Sequence, residues 1–206
     1  MMYHMLIDGE LVSGNGDRDV DNPVDETIVA SIPDADIAMM DRAVAAARRS
    51  WPAWRDTPIE QRAAVLRKMS TIVTEHSAEL AGLLIKETGR PQGVAAFEMG
   101  LCTQFLDYFA EQRLDPEVIA DEPHRRVEAH RKPLGVVAAI VPWNAPLYIA
   151  INKIAPALIA GNTIVVKPAP TTPLATLRLA ELLADAAPKG VLNIVSGGNE
   201  VGAHLV

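Results

Sequence analysis

The sequence predicts an α/β protein whose last third is a parallel sheet wound with crossover helices. Three observations predict it. Apolar runs rich in β-branched residues recur at 134–141, 163–166 and 191–195, with helical periods between them. The links are short, and strand–helix–strand crossovers of that length imply parallel strands with right-handed connections. Hydrophobic residues make up 49% of the 206-residue chain and charged residues 22%, enough apolar material for a sizeable core.

The chain opens on a hairpin. Tyr3, Met5 and Ile7 alternate with polar or smaller residues, Asp8-Gly9 is a favoured two-residue turn, and Leu11-Val12 returns. Gly14-Asn15-Gly16-Asp17 and Asn22-Pro23 read as turns, and Thr27 to Ile32 as a further extended run.

Three helices follow. The first starts near Asp34 or Asp36, either of which can cap it; Ile37, Met40, Val44, Ala47 and Trp51 share one face, and Pro52 is expected to end it. The second opens with Thr57-Pro58-Ile59-Glu60, where Thr57 can cap, Pro58 suits the first helical position and Glu60 can close a capping box. Its stripe is Ile59, Ala63, Leu66, Met69, Val73, Leu80 and Leu84, and Gly89 terminates it. The third begins near Pro91, with Phe97, Leu101, Phe105 and Phe109 spaced four apart, read as a core-facing stripe.

Residues 114–133 change character. Val118-Ile119 and Val127 lie among charges in short extended stretches, and His124-Arg125-Arg126 with His130-Arg131-Lys132 read as the solvated face of a polar strand in preference to an anion site. From Pro133 the pattern is β-α-β-α-β. Leu134 to Val141 reads as a strand buried on both faces, and Pro146 to Ala160 as a helix that Pro156 should kink or shorten. Thr163 to Val166 is the second strand, Thr172-Pro173 caps a helix to about Ala187, Val191 to Val195 is the third strand, and Gly197-Gly198 leads toward a helix at Val201. The chain thus divides into a hairpin and helical part at 1–117, polar strands at 118–133 and an α/β core at 134–206.

Composition excludes several functions. A net charge of −7 makes a poor general nucleic-acid binder. The single cysteine, Cys102, forms no internal disulfide or multi-cysteine metal site, and the five histidines show no ligand spacing, so no metal is expected. Met1 to Glu10 lacks the pattern of a secretory signal, and Val136 to Val166 is too interrupted for a membrane span. The expectation is a cytoplasmic protein.

In an open parallel sheet, ligands bind beyond the carboxyl ends of the strands. That rule selects Pro142-Trp143-Asn144-Ala145-Pro146, Lys167-Pro168-Ala169-Pro170 and Ser196-Gly197-Gly198-Asn199-Glu200. On one rim they supply an amide, an ammonium and a glycine pair, which suits a nucleotide. Each has a plainer alternative: Asn144 as a helix cap, Lys167 as an exposed strand-end lysine, Lys153 as a snorkelling helix residue. The G-x-G-x-x-G fingerprint is missing, and Gly197 to Gly202 has P-loop spacing without the Lys-Ser/Thr that should follow. Cys102 reads as a buried, inert thiol.

Pro133-Leu134-Gly135-Val136-Val137, Ile140-Val141-Pro142-Trp143-Asn144, Lys153-Ile154-Ala155-Pro156-Ala157-Leu158, Ala160-Gly161-Asn162-Thr163 and Val166-Lys167-Pro168 together resemble the aldehyde dehydrogenase superfamily. Gly190-Val191-Leu192-Asn193, Gly198-Asn199-Glu200-Val201-Gly202, Asp8-Gly9-Glu10, Asn22-Pro23, Ala43 to Ala47 with Trp54, Glu87-Thr88-Gly89 and Tyr108 extend the resemblance over essentially the whole chain.

The resemblance implies a Rossmann-like parallel sheet, NAD or NADP as cofactor, and oxidation of a small aldehyde through a cysteine thioester that a glutamate helps hydrolyse. It implies that Asn144 helps form the oxyanion hole, a donor typically worth ~3–4 kcal/mol of barrier. Lys153 resembles a lysine assigned a charge-relay role. Lys167 resembles the lysine that binds the adenosine ribose, with Ala169 in the same loop. Val141, Pro142 and Trp143 resemble the cofactor cleft wall, and Gly198 and Gly202 the loop and helix start near the adenine end. The stretch 124–132 resembles an oligomerisation arm, so a homo-oligomer or a complementary chain is the expected partner.

Three departures qualify the resemblance. The family's catalytic cysteine and glutamate would lie beyond Val206, Cys102 does not match the nucleophile, and Pro170 stands where many NAD-preferring members have an acidic residue. The chain therefore resembles an N-terminal portion, expected to be inactive alone. A sheet ending at its third strand should leave an unpaired apolar edge or face. The alternatives are a catalytically silent nucleotide-binding or oligomerisation module, and an acyl-donor reductase of the same superfamily.

Overall fold

The computed structural model describes residues 2–206. Met5–Ile7 (β1) and Glu10–Val12 (β2) form the expected hairpin, with Asp8 and Gly9 at φ 57° and 75°, the pair of positive values a type I′ turn needs. Gly16–Asp21 (β3) pairs antiparallel with Ile28–Asp34 (β4). The sequence suggests only a turn at the start of β3, because Val20 is its one buried residue and no apolar alternation marks it.

Ile37–Arg55 (α1) is capped by Asp36, whose side chain accepts from the Met39 N–H at 2.8 Å. Pro52 does not end it. The helix runs one turn further because Trp54 is buried there and donates from Nε1 to Leu158 O at 3.2 Å. The expected single second helix is two, Ile59–Glu75 (α2) and Ser77–Thr88 (α3), broken at His76. No capping box forms; the Thr57 hydroxyl donates back to Ala53 O at 2.9 Å and so closes α1. The shared apolar stripe nevertheless continues across the break, and Gly89 ends α3 at φ 67°.

In Gln92–Ala110 (α4) the expected stripe is displaced around the helix. Ala95, Met99, Cys102, Leu106 and Ala110 are buried, whereas Phe97 is 67% exposed. This buried line packs against α2, α3 and the later helix Pro146–Ile159. The rings lie at the margin, where Phe105 packs edge-on to Tyr148 with centroids 5.2 Å apart.

Glu117–Glu122 (β5) and Arg125–Ala129 (β6) form a separate two-stranded ribbon. Its basic side chains pair with its own acids, Arg125 with Glu122, Arg126 with Asp121 and Glu128, and Arg131 with Glu117. These pairs are exposed and contribute little to stability.

The α/β core is Val136–Ile140 (β7), Pro146–Ile159 (α5), Thr163–Lys167 (β8), Leu174–Leu182 (α6), Leu192–Ile194 (β9) and Asn199–His204 (α7). Strands β7, β8 and β9 are parallel, and the sheet order is β2-β1-β9-β8-β7. The far side of β9 is therefore covered by β1, which pairs with it antiparallel. The sheet's two edges are β2 and, on the parallel side, β7; the sequence reads β7 as buried on both faces, but Ile140 is 50% exposed. Pro156 leaves α5 helical through Ile159, and α6 stops at Leu182, before the expected Ala187, although Leu183 and Ala186 stay buried in the turns that follow. Buried turns imitate the apolar signal of a longer helix.

Side-chain alternation along β8 fixes the layers. Thr163 Oγ1 donates to Ala47 O of α1, and two alternations later Lys167 lies against Gly202 of α7, so one sheet face meets α1 and α7. Helices α5 and α6 cross on the other face, with α2, α3 and α4 packed outside them. Among the described residues no helix is long and apolar enough to cross a membrane.

Candidate functional site

The parallel register places the strand ends on one rim. Ile140 sits opposite Lys167, and Val166 opposite Ile194. The Val141 N–H donates to Lys167 O at 3.0 Å, and the Val195 N–H to Val166 O at 2.9 Å. The three loops chosen by sequence therefore emerge side by side. Thr172 Oγ1, from the second loop, lies 3.5 Å from Trp143 O of the first.

Lys167 is only 3% exposed. Its Nζ has one acceptor, Pro168 O at 3.2 Å, for three N–H donors. Burial, and then the Arg18 guanidinium, lower its pKa, with Asp34 pulling the other way. Its stem runs over Gly202, where a Cβ would come within 3.2 Å of Cε, so any larger residue there would crowd the stem. Ala169 is buried beside it and Pro170 is half-buried. Gly198 begins α7, and a Cβ there would meet Nη2 of Arg18 at 3.0 Å. Arg18, held by Asp34 at 2.7 Å, is a neighbour the sequence reading misses, because β3 carries no strand signal.

Val141 is buried under the rim, whereas Pro142, Trp143 and Asn144 are exposed. Asn144 is not the cap of α5. That helix follows Ala145, which has no side-chain acceptor, and Glu98 of α4 supplies one: Oε1 accepts from Leu147 N at 3.1 Å and Tyr148 N at 3.0 Å. Glu87 of α3 does the same for α6, accepting from Leu174 N at 2.6 Å and Ala175 N at 3.2 Å, in place of the expected Thr172 cap. Burial raises Glu87 to about 8, against those two amides and Arg90, which lower it. The sequence does hold a signal for both carboxylates. Glu87 continues the stripe Leu80-Leu84, and Glu98 falls between Ala95 and Cys102, so each is a charge on a buried helical face that needs a partner.

Lys153 stands apart from this cluster. It is exposed on α5 and lines a groove of about 460 Å³ with Val137, Ala138, Phe109 and Asn162, beside the free edge of β7. Cys102 is fully buried, and burial pushes its thiol up to about 12. That environment makes it inert as a nucleophile at neutral pH.

A parallel sheet with an ammonium, an exposed amide and a glycine-flanked helix start on its carboxyl rim is the layout of the doubly wound nucleotide-binding class. Within that class the chain belongs to the aldehyde dehydrogenase family, whose model matches residues 12–206. It is 37% identical over 212 residues to lactaldehyde dehydrogenase of Escherichia coli K12, covering 100% of this chain and 44% of that protein. It is 39% identical over 207 residues to succinate-semialdehyde dehydrogenase [NADP(+)] of the same organism, covering 95% of this chain and 43% of the relative. The solved NAD+ complex of an aldehyde dehydrogenase from Bacillus cereus superimposes with a TM-score of 0.94 at 33% identity, over 100% of this chain and 44% of that one. The chain thus spans less than half the length of the curated relatives it matches.

Proposed function

We propose that the chain is the cofactor-binding part of an NAD(P)-dependent aldehyde dehydrogenase. One observation carries the proposal: a buried lysine on the nucleotide rim with one acceptor for three donors. A buried ammonium so poorly satisfied is costly unless a ligand completes it.

The residues fit a dinucleotide. Lys167 would donate to ribose hydroxyls, with Gly202 keeping its path clear and Ala169 and Gly198 close by. Val141, Pro142 and Trp143 would form the wall. When bound, the nicotinamide supplies the hydride acceptor for aldehyde oxidation. The exposed Asn144 amide would donate to the oxygen of the reacting carbonyl as charge develops there, and Lys153 would act from the groove beside β7. Pro170 places no carboxylate on the ribose side, so both NAD and NADP are accommodated. The named relatives bear on both cofactors, one bound to NAD+ and one named for NADP(+).

Turnover by this chain alone is not expected, because Cys102 is sealed and inert. The same proposal keeps the division into 1–117, 118–133 and 134–206, supported by the separate β5–β6 ribbon, and assigns that ribbon to assembly with like or complementary chains. It places the protein in the cytoplasm, where a free thiol is stable.

The test is a titration of the 206-residue chain with NADH and NADPH, followed by quenching of the exposed Trp143. Saturable quenching reversed by NAD+ and by ADP-ribose is expected. No saturable binding of either nucleotide up to millimolar concentration would overturn the proposal.

A further inference from the structure

We infer that Arg90 and Glu98 together fix the loop that carries Asn144 and act as positioning residues for its amide. The inference rests on the role proposed above for Asn144. The loop has little else to hold it. Pro142, Trp143 and Asn144 are exposed, and the nearest side-chain tie is Thr172 to Trp143 O at 3.5 Å. No hydrogen bond engages the Asn144 side-chain amide among the described residues, so only its main chain is restrained.

That restraint comes from one guanidinium. Arg90 Nη2 donates to Asn144 O at 2.8 Å. Its Nε donates to Thr88 Oγ1 at 2.7 Å, and its Nη1 pairs with Glu98 Oε2. All three nitrogens of the fork are thus engaged, and its planarity transmits the position of one partner to the others. Glu98 turns its other oxygen to the Leu147 and Tyr148 N–H groups. The pair therefore grips both sides of the turn, the carbonyl of residue 144 and the first amides of α5. Both side chains are nearly buried, 10% and 5% exposed, so water does not replace either partner readily. The geometry holds the backbone of Asn144 and leaves its amide free to be offered to a ligand.

The test measures 15N relaxation and amide exchange in the 206-residue chain. Arg90→Met should drop the backbone order parameters of Trp143 and Asn144 from the rigid range near about 0.85 to below about 0.6, with Met99 to Leu106 of α4 unchanged. Arg90→Lys, which can reach only one of the three acceptors, should restore part of that order. Glu98→Ala should speed exchange of the Leu147 and Tyr148 amides at least about tenfold, and Glu98→Gln, which keeps an acceptor, by less. A purely structural role would shift melting without loosening this loop selectively. Unchanged order at 143–144 in a folded Arg90→Met protein overturns the inference. If that variant does not fold, wild-type exchange rates at 147 and 148 in Glu98→Ala overturn it instead. Nucleotide titration fails or succeeds independently of these readouts, so loss of the cofactor proposal and loss of this one are distinguishable.

Discussion

Replacing Lys167 by Met separates its functional role from a structural one, because the two roles predict opposite signs. Methionine keeps the reach across Gly202 but removes the charge and all three donors. A hydrogen bond from a charged donor contributes about 1.5–3 kcal/mol, so losing even one bond to a nucleotide should weaken binding about 10- to 150-fold. Stability should move the other way. The wild-type protein loses only the 3.2 Å bond to Pro168 O on substitution, about 1 kcal/mol, and is relieved of a buried ammonium. The lowered pKa carries the same sign. Between the folded value and 10.5 the unfolded chain binds more protons, so wild-type stability rises with pH through that window, and the full cost of the charge is present below it. Lys167→Met should therefore melt higher than wild type at pH 7 and lose that alkaline dependence. Calorimetric titration with NADH and NADPH, paired with thermal melts at pH 7 and 10, reads both effects. Unchanged affinity would refute the assignment of Lys167 to the cofactor. A lower melting temperature would show that the ammonium is chiefly a structural clamp.

Glu87→Gln should flatten the pH dependence of stability. With its folded pKa raised from 4.5 to about 8, the folded state keeps a proton that the unfolded chain releases, so wild-type stability falls as pH rises across that interval, by at most about 5 kcal/mol; parallel urea-melt profiles for the two proteins from pH 5 to 9 would refute this. Arg62→Met should cost about 3–5 kcal/mol, since the guanidinium serves the carbonyls of Ile159, Arg55 and Thr57 at 3.0, 3.0 and 2.8 Å; a change under about 1 kcal/mol in urea unfolding would contradict it. Cys102 should resist a thiol-specific disulfide reagent at pH 8 and react at the rate of unfolding, and rapid labelling of the native chain would show that the site opens locally.

The sequence makes the fold legible where burial is one-sided and periodic. Strands β8 and β9, the β1–β2 hairpin with its Asp-Gly turn, the Asp36 cap and the Gly89 stop all follow from local chemistry. It misleads where tertiary contacts choose among apolar faces. On α4 the phenylalanines make the more conspicuous stripe, yet packing against α2, α3 and α5 buries the line of alanine, methionine, cysteine and leucine. The pairing of β9 with β1 links residues near opposite ends of the chain, so no local pattern encodes it, and the bare edge of the parallel part falls on β7 instead. The rim loops could be chosen from the strand-end rule alone. Their supports could not, because Arg90, Glu98 and Glu87 act across 54, 49 and 87 residues of sequence.

Those supports also account for the missing glycine fingerprint. In a sheet that binds phosphate through a crossover helix, the glycines bring a ligand against free N–H groups at the helix start. Here the starts of α5 and α6 are filled from within, by Glu98 and Glu87. An anion arriving at either would meet donors already taken by a carboxyl group. Glycines there would serve no purpose, and Pro142-Trp143-Asn144 can stiffen the turn in their stead. Under the proposed function, positive charge for a nucleotide would come from a side chain on the rim, where Lys167 stands at the end of the central parallel strand β8. The internal caps, the proline-bounded turn and the buried lysine are thus parts of one arrangement. Glu98→Gln should keep α5 capped while losing the ion pair with Arg90, whereas placing glycines at 142 and 144 should loosen the turn without creating a phosphate site.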